Sequence, residues 1–233
     1  MVRSGVDSLR QTISDACRVL AAKGAVSGIL GHVSARVDGG LLVRTRGPRE
    51  RGLRHTTPED IRLVDLDGQG ELGEWTVPNE LPIHTEVLRA RPEVGAVVHA
   101  HPPALLACGL KGLPLRPIYG AFDIPGMRMA ADGVPVYPRS VLIRRRDLAQ
   151  EMLAAMGGKP VCLLRGHGVT VTGETVAEAV VRTLALETLA RVTLQVGPDI
   201  PAVPDEDQAE LPDLGGAFFH ETQWRALVAD LDG

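Results

Sequence analysis

The chain has 233 residues, 44% hydrophobic and 23% charged, with a formal net charge of −4. That length can bury a real core, and the acidic balance gives no bulk attraction to nucleic acid or anionic lipid. No apolar run approaches the roughly 20 residues of a membrane span, and the first twenty residues read as an amphipathic helix rather than an apolar signal core. Cys17, Cys108 and Cys162 are odd in number, widely spaced and set among apolar neighbours, as buried free thiols in a reducing compartment would be. The expectation is a cytoplasmic protein with neither nucleic acid nor membrane as partner.

In chain order, Leu9, Ile13, Cys17 and Leu20 recur at helical spacing until the glycines of "KGAVSG". "HVSARV" and "LLVRT" alternate as strands around the turn residues "DGG". "TTPEDI" reads as a helix start, with Pro58 preset for a first turn, and "IRLVDLDG" as a strand and turn. "LPIHTEVLRARP" is a short helix stopped by Pro92, "VGAVVHAH" a buried strand, and "PALLACGL" a second short helix. "GVPVYP" and "PVCLLRGHGVTVTG" supply further strands. The longest helix follows, with Thr175 as its cap and Glu178 three residues on. "GPDIPAVPDEDQAELPDLGG" reads as a mobile linker, and an amphipathic helix carrying Trp224 ends the chain. Strands and helices interspersed in this way predict a single mixed α/β domain over residues 1–197, with residues 198–233 as linker and helical arm.

The histidines carry the chemistry. Residues i and i+2 of a strand share a face, so His99 and His101 project together if the strand persists through both. Such a pair suits two imidazole nitrogens on one metal at ~2.0–2.1 Å. His167 follows another apolar strand and sits between Gly166 and Gly168, where missing side chains allow close approach. Three neutral imidazoles would leave a coordination position open, as catalytic sites do. They suit zinc, iron, manganese or cobalt. Glu80, before a predicted helix, reads as a metal ligand, a proton-transfer group or a simple cap, and His84 as an ordinary half-buried histidine.

With Glu80, His84, His99, His101 and His167 in this order, the chain resembles the class II aldolase/adducin family. "GHVSARV", "NELPIHTEVLRARPEVGAVVHAHPP" and "LLRGHGVTVTG" carry the resemblance, which spans about residues 8–197. It implies a three-layer α/β/α fold around a mainly antiparallel sheet, and a homotetramer with active sites between subunits. It further implies one divalent metal ion per subunit (Fe2+, Mn2+, Zn2+ or Co2+) on His99, His101 and His167. Glu80 is then a ligand or an acid/base, and Tyr119 falls where the sugar-phosphate aldolases keep a tyrosine that reaches the adjacent subunit's substrate.

The sequence departs from those aldolases where they hold phosphate. Their Gly-Asn is Gly31-His32, their Thr-Pro-x-Gly loop is "RTRGPRERGLR", and their Ser-Ser is Pro78-Asn79. Arginine forks match carboxylates, so Arg44, Arg46 and Arg49, with Asn79, are candidates for binding an acidic substrate. The resemblance implies non-oxidative decarboxylation of a hydroxylated aromatic dicarboxylate, 3,4-dihydroxyphthalate to protocatechuate being the nearest case. The alternative is a metal-dependent aldolase cleaving a non-phosphorylated or acidic hydroxy-carbonyl substrate. Glu80, His32 and Tyr119 are the candidate acids, and Phe218, Phe219, His220 and Trp224 of the terminal arm are candidates to cover the site.

Overall fold

A computed structural model of the protein describes residues 2–212, 214 and 216–231. Strands β1 (His32–Val37), β2 (Gly40–Arg44), β3 (Ile61–Val64), β4 (Ala96–Ala100), β5 (Val136–Tyr137), β6 (Val161–Leu164) and β7 (Gly168–Gly173) form one sheet in the order β3-β2-β1-β4-β7-β6-β5. Every neighbouring pair is antiparallel except β5 and β6. The β1–β2 hairpin closes through Asp38 and Gly39, where a φ of 79° requires the glycine.

Strand alternation sends side chains to two separate cores. Val33, Ala35, Ala96, Val98 and Ala100 point into the larger one. There they meet α1 (Val2–Ala22), α3 (Pro103–Lys111) and α6 (Val176–Val196) through residues such as Ile13, Leu105 and Leu186. Leu41, Val43, Val97 and Cys162 point the other way, onto α2 (Leu81–Ala90) and α5 (Arg146–Met156). The result is the expected three-layer α/β/α arrangement around a mainly antiparallel sheet. His32, Ser34 and His99 share strand parity with the second set, so they lie on the α2 side.

Several local readings change. "TTPEDI" forms one 3-10 turn, Pro58–Asp60, between a Thr57/Asp60 capping box and the start of β3, which leaves no room for a longer helix. Helix α4 (Ile124–Ala130) and α5 were not read from the sequence, although Asp123 caps the first and Leu148, Ala149, Met152 and Met156 give the second a buried stripe. Thr175 does cap α6, accepting from the Glu178 amide at 3.1 Å. The stretch read as a mobile linker holds α7 (Asp205–Glu210) and is tied to the body: Arg116 donates to the Pro198 and Ile200 carbonyls, and Val203 donates to that of Pro117. Helix α8 (Gly216–Ala229) packs on α6 and, through Trp224, Leu227 and Val228, on the larger core. All three cysteines are free and buried, and burial pushes their thiols up to about 12 for Cys17 and about 11 for Cys108 and Cys162.

Candidate metal centre

The ends of β4 and β7 and the start of α2 converge on one buried point. Antiparallel register sets His99 opposite His32 on one side and opposite Thr170 on the other. The Val169 carbonyl lies 3.1 Å from His99 Nδ1. A carbonyl only accepts, so Nδ1 carries the proton and Nε2 presents a lone pair. Strand β4 ends at Ala100, because Pro102 and Pro103 have no amide to continue the ladder. The His101 ring nonetheless stays against that of His99, at 4.8 Å between centroids, with its own amide donating to the Ala25 carbonyl.

His167 stands in the turn between β6 and β7, its amide donating to the Leu164 carbonyl. Gly166 beside it has a φ of 65°. A Cβ on Gly168 would lie 2.3 Å from the Ala100 carbonyl oxygen and 2.8 Å from the His101 ring. Glycine is thus the residue that lets the third histidine reach the first two.

Glu80 occupies the cap position of α2 but does not cap it. Its Oε1 accepts from the Ile143 amide at 2.8 Å, and its Oε2 stands 3.3 Å from Nε2 of both His99 and His167. Burial opposes its charge, but contacts with His167 and His99 outweigh that and hold the carboxyl well below the usual carboxylate range.

The donor atoms of Glu80, His99, His101 and His167 all lie within 4.8 Å of one another. A separation near 3.3 Å matches the edge of a tetrahedron with bonds of about 2.0–2.1 Å. Among the described residues, neither buried ring nitrogen of His167 has a hydrogen-bond partner, and Nε2, the one facing the cluster, is left for a ligand. Three imidazoles and a carboxylate are a donor set for a divalent transition metal, and the residues fit one.

Behind the cluster lies a second row of polar groups. His84 is fully buried, not half-buried as expected, because its Nε2 meets His32 Nδ1 and its Nδ1 meets Ser34 Oγ, both at 2.6 Å. Burial and neighbouring histidines push His32 well below the usual histidine range, and His84 and His101 down to about 3, so all three are neutral near pH 7. The His84 role, the Ser34 contact and the Ile143 amide escaped sequence reasoning. The spacing of His84 four residues after Glu80 was the available signal for the first; a backbone amide leaves no trace in sequence.

The other candidates are not among the four clustered donors. Arg44 is 3% exposed and paired with Glu50 at 2.5 Å. With Arg49, Arg51 and His55 it lines a cavity of about 500 Å³ that none of the four cluster residues lines. Arg46 pairs its backbone with Thr76 and keeps a buried Nε that has no partner among the described residues. Asn79 is exposed immediately before Glu80. Tyr119 packs against the larger core, on the opposite side of the sheet from His99, with its ring 5.2 Å from that of Phe122 and its hydroxyl buried without a partner among the described residues. His220 sits against Glu178 of α6, and Phe218 is 78% exposed.

Over residues 11–194 the sequence matches the family described as Class II Aldolase and Adducin N-terminal domain. The chain belongs to the class II aldolase/adducin family. Within that family it is 58% identical over 229 residues to the 3,4-dihydroxyphthalate decarboxylase of Arthrobacter keyseri, covering 94% of this chain and 92% of that protein. It is 55% identical over 233 residues to the protein of the same name from Terrabacter sp. (strain DBF63), covering 97% and 98%. The solved L-fuculose 1-phosphate aldolase from Glaciozyma antarctica PI12 superposes with a TM-score of 0.81 at 22% identity, over 100% of this chain and 91% of that one, a likeness of fold.

Proposed function

We propose that this family member is a metal-dependent, non-oxidative decarboxylase that converts 3,4-dihydroxyphthalate to protocatechuate, a step of phthalate catabolism. The identity to two decarboxylases of that substrate over almost the whole chain is the observation that carries the reading. The buried histidine and glutamate cluster supplies the chemistry it needs.

His99, His101 and His167 would hold the ion, with Glu80 as a fourth ligand, since both its oxygens are already committed to Ile143 and to the cluster. A divalent ion bound there supplies Lewis acidity that favours the phenolate and holds electron density in the ring. The carboxylate that leaves is the one ortho to a phenolic oxygen. The ring carbon bearing it takes a proton, the carbon–carbon bond breaks, and carbon dioxide departs.

The retained carboxylate goes to the arginine loop. Arg44 is already paired with Glu50, which leaves Arg46 and Arg49 as the guanidinium forks of this reading, with Asn79 beside Glu80. Residues 1–197 form the catalytic domain in this reading, and 198–233 the linker and arm. A homotetramer with shared sites would bring Tyr119 to a neighbour's substrate.

The test is anaerobic incubation with 3,4-dihydroxyphthalate after reconstitution with iron(II), manganese(II), zinc(II) or cobalt(II). Equal formation of protocatechuate and carbon dioxide is expected, and His99→Ala should abolish both together with bound metal. Formation of an aldehyde and a keto acid from a hydroxy-carbonyl substrate, without carbon dioxide, would establish an aldolase instead.

A further inference from the structure

Ser34, His84 and His32 form a continuous chain through the core, at 2.6 Å and 2.6 Å, with exposures of 0%, 0% and 4%. Its direction follows from its inner end. A serine hydroxyl has one proton to place, and among the described residues the side-chain partner of Ser34 is His84 Nδ1. If Nδ1 carried a proton and donated it to Ser34, the hydroxyl proton would be left in the core without an acceptor, which is unfavourable. Ser34 therefore donates to His84 Nδ1. His84, neutral, holds its proton on Nε2 and donates to His32 Nδ1. His32, accepting at Nδ1, carries its own proton on Nε2, an atom with no hydrogen-bond partner among the described residues but, unlike the Ser34 hydroxyl, not sealed from solvent, so that proton is not stranded in the core. The ring that carries it lies 4.9 Å from that of His99, beside the metal cluster.

We propose that Ser34 and His84 are positioning residues that lock His32 in its Nε2–H tautomer, and that His32, rather than Glu80 or Tyr119, protonates the ring carbon from which carbon dioxide leaves. This rests on the decarboxylase reading above. The Nε2–H bond breaks as the new ring C–H bond forms. The electron pair of the carbon–carbon bond returns to the ring as carbon dioxide departs, and a proton from solvent water restores Nε2–H. The His84 N–H aimed at Nδ1 stabilises the negative charge that His32 takes on. Glu80 is unsuited to the task, with one oxygen held by the Ile143 amide and the other facing two ligand histidines.

Two measurements test this. In zinc-loaded protein with 15N-labelled histidine, assigned through His32→Gln and His84→Gln, both His32 and His84 should show a protonated Nε2 and a bare Nδ1. A proton on Nδ1 of His32 would overturn the proposal, and this readout needs no turnover. In kinetics, Ser34→Ala should lower kcat about tenfold, a fraction of a full general-acid contribution, with KM and zinc content unchanged. Ser34→Thr, which keeps the hydroxyl, should recover most of the loss. An unchanged kcat in Ser34→Ala would equally overturn it. If the unaltered protein releases no carbon dioxide from 3,4-dihydroxyphthalate, the decarboxylase reading fails together with the donor role, while the tautomer is still decided by the nitrogen spectrum.

Discussion

Gly168 carries as much of the site as any histidine. An added methyl group would meet the Ala100 carbonyl and the His101 ring at distances that real Cβ atoms do not reach. Gly168→Ala should push β7 from β4, cost about 1–3 kcal/mol in urea unfolding and lower zinc affinity; a variant with unchanged stability and affinity would refute the account. The sequence already placed His167 between two glycines, but the atom that forbids a side chain belongs to a strand almost seventy positions earlier. The same separation hid Ser34. As a small polar residue in a strand it gave no signal, and only the register of β1 against β4, with α2 packed over both, brings its hydroxyl to His84.

At the scale of elements, α6 reaches across the fold to brace the metal centre. Glu187, buried in α6, accepts from the amides of Ala104 and Leu105 at 3.0 Å each, in the first turn of α3, which begins two residues after His101. A carboxylate at a helix start satisfies amides that have no partner inside the helix. Glu187→Ala should leave both unpaired in the core, with an expected loss of about 3 kcal/mol in chemical denaturation. Because α3 fixes the chain just beyond His101, zinc affinity should fall too, measurable by competition with a chelator; stability lost without any change in affinity would confine Glu187 to folding. Helical periodicity made α6 legible, yet its low amphipathicity concealed which face met what. It is covered by the sheet, α3, α4 and α8 on different sides, so a single apolar stripe was never required.

For the whole molecule, the buried neutral histidines set an acid limit. His84 is held at about 3 in the fold, against about 6.5 in an unfolded chain. Between those values the unfolded state binds the proton and the folded state does not, so stability must fall as pH drops through this window. Above about pH 6.5 the term vanishes. Well below it, His84 alone contributes a slope of about 1.4 kcal/mol per pH unit. Urea denaturation of metal-free protein should therefore show a declining midpoint from pH 6.5 to 5, before most carboxylates titrate; a flat profile would mean that His84 is charged or solvated in the fold. Among the described residues, no helix is long and apolar enough to cross a membrane.

Residue order by itself determined the family, the alternation of strands and helices, and three of the ligand candidates, because local periodicity, turn residues and the His-x-His and Gly-His-Gly spacings are properties of short segments. It also named His32 and Glu80, though with their roles open. Tertiary structure decided what each of these side chains faces. The Ile143 amide fixes one oxygen of Glu80, the Val169 carbonyl fixes the tautomer of His99, and Glu50 neutralises Arg44, which sequence alone counted among the candidates for binding substrate. Those outcomes depend on contacts between distant segments, where the cost of leaving a buried polar group unpaired selects one arrangement, and no window of sequence contains that information.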